Sequence, residues 1–423
     1  MSTSPQPPEP VGPPPAWWRR RPAVLAGVAL VAVLAVAVVA LAKGGNGGGD
    51  RDSRSGGGGS SSTTSADAAG TTGPDTTGGT SPAGGGSSTS GPGPGGSGPA
   101  VTGPAATGPG TAPGATGPGT VAFASRRFGA TGTFVVGGDG TGEKALTSKP
   151  GEYFTPVWSP DGTRIAFASR RIDNTDVYVV KADGTGEHRL TDNPGNDFDP
   201  AWSPDGKRIA FSGQRDNNAD VWVVDAGGGG ERRLTDSPDE EFGPVWSPDG
   251  SRLAYTRNAA GGAAIWTIAP DGKDARAIVT SSGQNLDPSW SPDGRRLAFV
   301  STRAGNSDIF VAAADGSGAA AVTTNPGEDV SPAWSPDGRR LAYISQRNAD
   351  RDVHVVDADG RNDHAVAANR SEEATPAWSP DGVHIAFVSD RDGLRHVYSV
   401  AADGSGLRRL TPGPGPDFDP RWK

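Results

Sequence analysis

The stretch FDPAWSPDGKRIAF, residues 198–211, decides the fold because its core recurs. The pentapeptide WSPDG begins at Trp158, Trp202, Trp246, Trp290, Trp334 and Trp378, so every interval is 44 residues. Each unit reads as four short strands. FDPAW leads in, and Ser-Pro-Asp-Gly then supplies the proline and the glycine with positive φ that a tight turn needs. RIAFS is apolar on both parities, as a strand covered on both faces must be. DVWVVD, residues 220–225, is rich in β-branched and aromatic residues, and RRLT, residues 232–235, is short enough for an edge. Helical spacing is absent.

Four antiparallel strands recurring at about 40–45 residues are the signature of a β-propeller, whose blades cover one another's faces. A solenoid is the main alternative, and the ends of the repeat region decide between them. Counting back 44 residues from Ile165 reaches Val121, where VAFASRR repeats IAFASRR with no tryptophan strand before it. Counting forward 44 from Trp378 reaches Trp422, where FDPRW is followed only by Lys423. The region therefore begins with a second strand and ends with a first. If the last strand completes the first blade, an all-β, seven-bladed propeller of four-stranded antiparallel blades closes on itself over residues 120–423. A solenoid would need capping repeats instead.

The front of the chain differs. Much of the glycine and proline, 65 and 38 residues overall, crowds the segment before the repeats. Residues 1–22 form a short Pro-rich tail, expected to be disordered and cytoplasmic; a partner ligand is the rival reading. Residues 23–42 are uncharged and almost wholly aliphatic. At about 1.5 Å per residue, a helix of them spans about 30 Å of hydrocarbon. Trp17, Trp18 and Arg19–Arg21 precede it, an interfacial pair and a positive flank that keep the N-terminus in the cytoplasm. The alternative, a cleaved export signal suggested by ALA at residues 40–42, has to accommodate an apolar core longer than usual. Residues 43–119 are Gly, Ser, Thr, Pro and Ala, with too little apolar surface to offset ordering entropy. They form a disordered linker with a reach on the order of 50 Å. The propeller is thus expected outside the cell membrane, on a single-pass anchor.

No cysteine is present, which removes disulfides and thiolate chemistry. Residues 1–120 hold six Lys/Arg against five Asp/Glu, which leaves 33 against 43 in the remainder of the 39 and 48. Such an acidic domain is a poor match for nucleic acid.

The pattern P-x-WSPDG-x-x-IAF-x-S, followed by D-x-Y/W-V and DG-x-G-x-x-x-x-LT, resembles the repeats of the TolB family of propellers, across residues 121–423. The DG turn after the third strand recurs at Asp139, Asp183, Asp271, Asp315, Asp359 and Asp403, and GGGG replaces it at residues 227–230. The resemblance implies an exported binding scaffold. TolB itself is similar to a six-bladed ring preceded by a small α/β domain, whereas this chain counts to seven behind a linker.

Five positions before each tryptophan stand Tyr153, Asp197, Glu241, Asn285, Asp329, Glu373 and Asp417, with Glu152, Glu240, Glu328 and Glu372 just before four of them. Loops into innermost strands gather at one mouth of the channel, so Asp197, Glu241, Asp329, Glu373 and Asp417 are candidate binding residues for a basic peptide, a cation or a sugar. The competing account is local pairing with Arg127, Arg171, Arg215, Arg303, Arg347 and Arg391, which recur between second and third strands on the same face. Asp176, Asp220, Asp308 and Asp352 open third strands in blades that carry the arginine, whereas one blade has Ala259 and Ala264 in the two places. This co-occurrence predicts an Arg–Asp bridge across the loop, and a smooth uncharged patch at residues 257–266 where both are missing. The repeat tryptophans are expected to pack between blades, while Trp222 and Trp266 on third strands are unassigned.

Catalytic signals are sparse. His188, His354, His364, His384 and His396 occupy unlike places in their repeats, with no H-E-x-x-H spacing and no G-x-S-x-G elbow, so no catalytic residue, metal ligand or cofactor is assigned. These features describe a monomeric, membrane-anchored scaffold for a protein, peptide or envelope polymer. A metal-dependent hydrolase or lyase at the channel mouth is the alternative, since some propeller lyases hold metal through clustered histidines.

Overall fold

The computed structural model describes residues 119–423, apart from 128, 129, 172, 348 and 349 and the side chain of residue 130. The expected tail, transmembrane helix and linker, residues 1–22, 23–42 and 43–119, lie outside the described residues, except for Gly119. Among the described residues every regular element is a β-strand, and no helix is long and apolar enough to cross a membrane.

The strands form seven four-stranded antiparallel sheets, and one of them joins the two ends of the repeat region. In that sheet, blade 1, the strand Asp417–Trp422 pairs with Thr120–Arg127, followed by Ala130–Gly137 and Lys144–Ala145. Val121 stands opposite Trp422 and Ser125 opposite Asp417. Blades 2 to 7 begin with Glu152–Trp158, Asp197–Trp202, Glu240–Trp246, Asn285–Trp290, Asp329–Trp334 and Glu373–Trp378. Each first strand lies against the first strands of both neighbouring blades, so the seven make the inner wall of a closed ring.

The second strands show why the ring is stable. Ile165, Ala166 and Phe167, like Ile209, Ala210 and Phe211, are fully buried on both faces of their sheets. A strand covered on one side only could not bury successive residues. The cores accordingly straddle the seams: Val177, Val179 and Leu190 of blade 2 pack with Trp202, Ile209 and Phe211 of blade 3. At the closure, Val121, Phe123 and Val136 of blade 1 meet Ala386, Val397 and Leu410 of blade 7. Fourth strands such as Arg232–Arg233 are two residues long and exposed, an edge too short to recruit another chain.

The SPDG turn and its tryptophan work together. In blade 3 the Ser203 hydroxyl donates to Asp205 at 2.5 Å, the same carboxylate accepts the Lys207 amide, and Gly206 sits at φ 66°. The turn holds the end of the strand at which Trp202 reaches back to the preceding blade, donating from Nε1 to the Val157 carbonyl at 3.2 Å. Trp158, Trp246, Trp290, Trp334 and Trp378 make the same bond to Arg421, Ala201, Val245, Ser289 and Ala333 at 3.0–3.3 Å. Arg164, Arg208, Arg296 and Arg340 lie over the rings of the next blade's tryptophans at 4.6–4.9 Å. The repeated tryptophans are seam fasteners, packed between blades.

Each first strand also carries a bulge. Thr155, Asp199, Gly243, Asp287, Ser331, Thr375 and Asp419 have positive φ, between 45° and 64°. Proline follows each one and offers no N–H to the ladder.

Candidate functional site

The five carboxylates proposed for the channel mouth are not arranged around an open entrance. Asp197, Asp329 and Asp417 are 0 % exposed and Glu241 and Glu373 only 1 %. They sit beneath the loop face because the residue five before each tryptophan pairs with the second strand of its own blade and turns into the seam. Arg215 donates to Asp197 at 2.6 Å, Arg391 to Glu373 at 3.0 Å, and Arg127 to Asp417 at 3.4 Å. Asp329 accepts from Ser345 at 2.6 Å and from Asn325, and Glu241 accepts from Ser237 with Arg257 at 3.6 Å. Tyr153 and Asn285 take the same place in their blades and accept from Arg171 and Arg303.

Burial outweighs these partners in setting the charge. It pushes the Asp197 carboxyl up to about 6 and those of Glu241 and Glu373 up to about 7, despite the arginines and hydroxyls that favour the ionised form. Asp329 is raised for the same reason.

The arginines are better defined than the sequence indicated. Five of the six stack on the third-strand aromatic of their blade: Arg171 on Tyr178 at 3.8 Å, Arg303 on Phe310 at 4.3 Å, Arg127 on Phe134 at 4.5 Å, Arg215 on Trp222 and Arg391 on Tyr398 at 4.8 Å. Trp222 and Trp266, unassigned in the sequence, are members of this series. A second acid, at the start of the fourth strand, completes several of the clusters. Arg127 binds Glu143, Arg171 binds Glu187 at 2.8 Å, Arg215 binds Glu231 at 3.2 Å and Arg347 binds Asp363 at 2.6 Å. These acids recur at 44 residues too, a signal that was present in the sequence.

Two expectations from the sequence fail. The Arg–Asp bridge across the second-to-third-strand loop does not form. Asp176 instead pairs with Arg189 at 2.7 Å, Asp220 with Arg233 at 2.8 Å, and Asp352 accepts the Asn369 amide. The third-strand aspartates look across the seam, where Asp220 meets Glu241 and Asp308 feels Asp329 of the following blade. The patch at residues 257–266 is not uncharged either. Arg257, two positions before Ala259, lies over Trp266 at 4.7 Å and pairs with Asp239 at 2.7 Å.

A second acidic set went unremarked in the sequence: Asp199, Asp287 and Asp419, at the bulge. Asp199 feels Asp419, and Asp287 feels Asp199. They belong to blades 3, 5 and 1, which do not adjoin, so the space they share is the central channel. Burial there, with mutual repulsion added, pushes Asp199 up to about 6 and Asp287 up to about 7. The bulge explains the placement, because it re-aims one residue per blade. Among the described residues no three His, Asp or Glu side chains are grouped to hold a metal ion. His188 and His364 are exposed on fourth strands, while His354 and His396 are buried on third strands beside Asp363 and Asp417.

A family model described as the TolB beta propeller domain matches residues 121–241, 235–329 and 271–423. The chain belongs to the TolB β-propeller family. No curated protein matches it. A solved structure of putative TolB from Agrobacterium tumefaciens is 24% identical, covering 63% of this chain and 96% of its own, with a TM-score of 0.47. Two others carry the likeness in fold further. One is a puromycin hydrolase mutant complexed with PGG, at 15% identity, 70% and 52% coverage and a TM-score of 0.59. The other, oligogalacturonate lyase from Vibrio parahaemolyticus, stands at 14% identity, 70% and 86% coverage and a TM-score of 0.52. The last two likenesses agree with the propeller architecture of this TolB-family chain. A shared fold does not fix the chemistry, which depends on the residues of the site.

Proposed function

We propose that this TolB-family propeller is a non-catalytic binding platform, held outside the cell membrane by a helix over residues 23–42 and a tether over 43–119, and that its partner is a protein, a peptide or an envelope polymer. One observation supports this above the rest: the loop face combines a repeated frame with an unrepeated surface. The arginines and carboxylates that recur in the blades bind one another below the face. The hairpin tips above them differ in chemistry, with Asp173 in blade 2, Asp216 and Asn217 in blade 3, Ala260 and Gly261 in blade 4, Ala304 and Gly305 in blade 5, and Asp392 to Leu394 in blade 7, all exposed. Variable tips on a rigid ring are how a propeller acquires a partner. In this reading Asp197, Glu241, Asp329, Glu373 and Asp417 act from beneath, fixing the loops that carry the tips.

Crosslinking of the full chain in intact cells, followed by membrane fractionation, tests the proposal. The expected result is a partner captured at the membrane fraction and lost when exposed tip residues such as Asp216 and Asp392 are changed. Recovery of the chain in the cytosol, or a turnover activity that needs no partner, would overturn it.

A further inference from the structure

Blade 3 departs from its neighbours at one position. In five blades the residue two before the stacked arginine is serine (Ser125, Ser169, Ser301, Ser345 and Ser389), and its hydroxyl accepts from the arginine Nε at 2.8–3.3 Å. Blade 4 has Arg257 there, and blade 3 has Gly213. Without the hydroxyl, Arg215 Nε is buried and unpartnered. The indole of Trp222 lies where the missing side chain would be, since a Cβ on Gly213 would stand 2.7 Å from its Cδ1. Trp222 Nε1 is also buried and unpartnered. Among the described residues, the other buried side-chain N–H in this condition is Trp422 Nε1, so two of the three meet here. Buried donors are nearly always satisfied, and leaving one bare is costly.

Both residues wall a cleft of about 850 Å³ on the loop face, with Gln214, Asp216, Asn217, Arg233 and the loop 193–196. Its size suits a small ligand or a short piece of a polymer. The charges decide what kind. Arg215 is matched by Asp197 and Glu231, and Arg233 by Asp220, which leaves no surplus cation for an anionic ligand. Asp216 is exposed and adds an acceptor, and the amide of Asn217 offers both donor and acceptor. Gln214 accepts from Asn196 at 3.2 Å and lines the cleft, which leaves its NH₂ as a donor. The ligand must accept from the Gln214 amide, donate to the Asp216 carboxylate, exchange both kinds of bond with the Asn217 amide, and set an apolar patch against the Trp222 indole. A ring bearing neutral hydroxyls does all four.

We propose that this cleft binds a neutral oligosaccharide segment. The inference rests on the reading of the propeller as an envelope-facing platform, and names the ligand class for one site on it.

The test uses the full chain in detergent micelles, titrated with cellotetraose, maltotetraose and chitotetraose, and with tetraalanine as the peptide probe. Tryptophan fluorescence and ligand-observed saturation-transfer NMR report binding. At least one tetrasaccharide is expected to bind, and Trp222→Ala, which removes the apolar wall, and Asn217→Gly, which removes the amide, each to weaken it roughly tenfold. Gly213→Ser, which restores the structural hydroxyl, is expected to abolish binding. Should that variant fail to fold because the serine meets Trp222, Asn217→Gly and Gln214→Ala on the exposed hairpin carry the same test. Silence from all three sugars overturns the proposal, as does tetraalanine binding in their place or affinity indifferent to the cleft variants. A crosslinked partner recovered from cells alongside silent sugars overturns this assignment alone and leaves the platform standing.

Discussion

At Glu373 a carboxylate is 1 % exposed and held by Arg391, Ser371 and Ser389. A buried pair is weak evidence of stability, but breaking one strands a charge. Arg391→Ala is therefore expected to destabilise the propeller by about 3–5 kcal/mol in urea unfolding, and Arg391→Ala combined with Glu373→Gln by clearly less, because the double variant leaves no ion behind. The same burial sets a pH dependence. Glu241 and Glu373 near 7 and Asp197 near 6 keep their protons longer in the folded chain than in the unfolded one. The folded state then binds more protons at these groups across roughly pH 4–7, so their contribution to stability is fully present below that window and is lost as pH rises through it. The melting temperature should be higher at pH 5 than at pH 8. Glu241→Gln should flatten that slope by on the order of 2 kcal/mol, and a melting temperature that climbs with pH would contradict this account.

Among the elements, the first strand does most to join one blade to the next. Its tryptophan bonds the previous blade, and its bulge turns one residue toward the axis. Trp334→Phe removes the 3.0 Å bond to Ser289 and weakens the contact with Arg296, an expected loss of about 1–3 kcal/mol by chemical denaturation. Trp422→Phe should cost less, since Trp422 Nε1 has no protein partner to lose. Equal losses at the two positions would mean that ring volume, and not the hydrogen bond, fastens the seams. The strand pattern itself was legible: turns, parities and short edges are local properties, written within a few residues. The pairing of Asp176 and Asp220 was not, because their partners Arg189 and Arg233 stand on the adjoining strand, thirteen residues on, where register alone brings them together.

For the whole molecule, closure is the property on which the other claims rest. The strand Asp417–Trp422 supplies the inner wall of blade 1, and its partners include residues some 290 positions earlier. Deleting residues 416–423 exposes the edge of Thr120–Arg127 and opens the core shared by blades 7 and 1. Small-angle scattering should show an expanded particle and thermal unfolding a broad, less cooperative transition. A truncated chain as compact and cooperative as the intact one would rule the closed ring out. The 44-residue period and the unlike ends of the repeat region were enough to fix the strand count, the seven blades and the way they close, since a repeat that cannot bury its own faces must stack, and half-blades must find each other. Tertiary structure alone decided what the polar residues do. A residue type that recurs in every blade has the same spacing whether it faces solvent, its own loop or the next seam. Only the packing of the blades buried Asp197 and Glu373 under the loop face, brought Asp199 within electrostatic reach of both Asp287 and Asp419, and left Arg215 Nε and Trp222 Nε1 without hydrogen-bond partners beside a cleft.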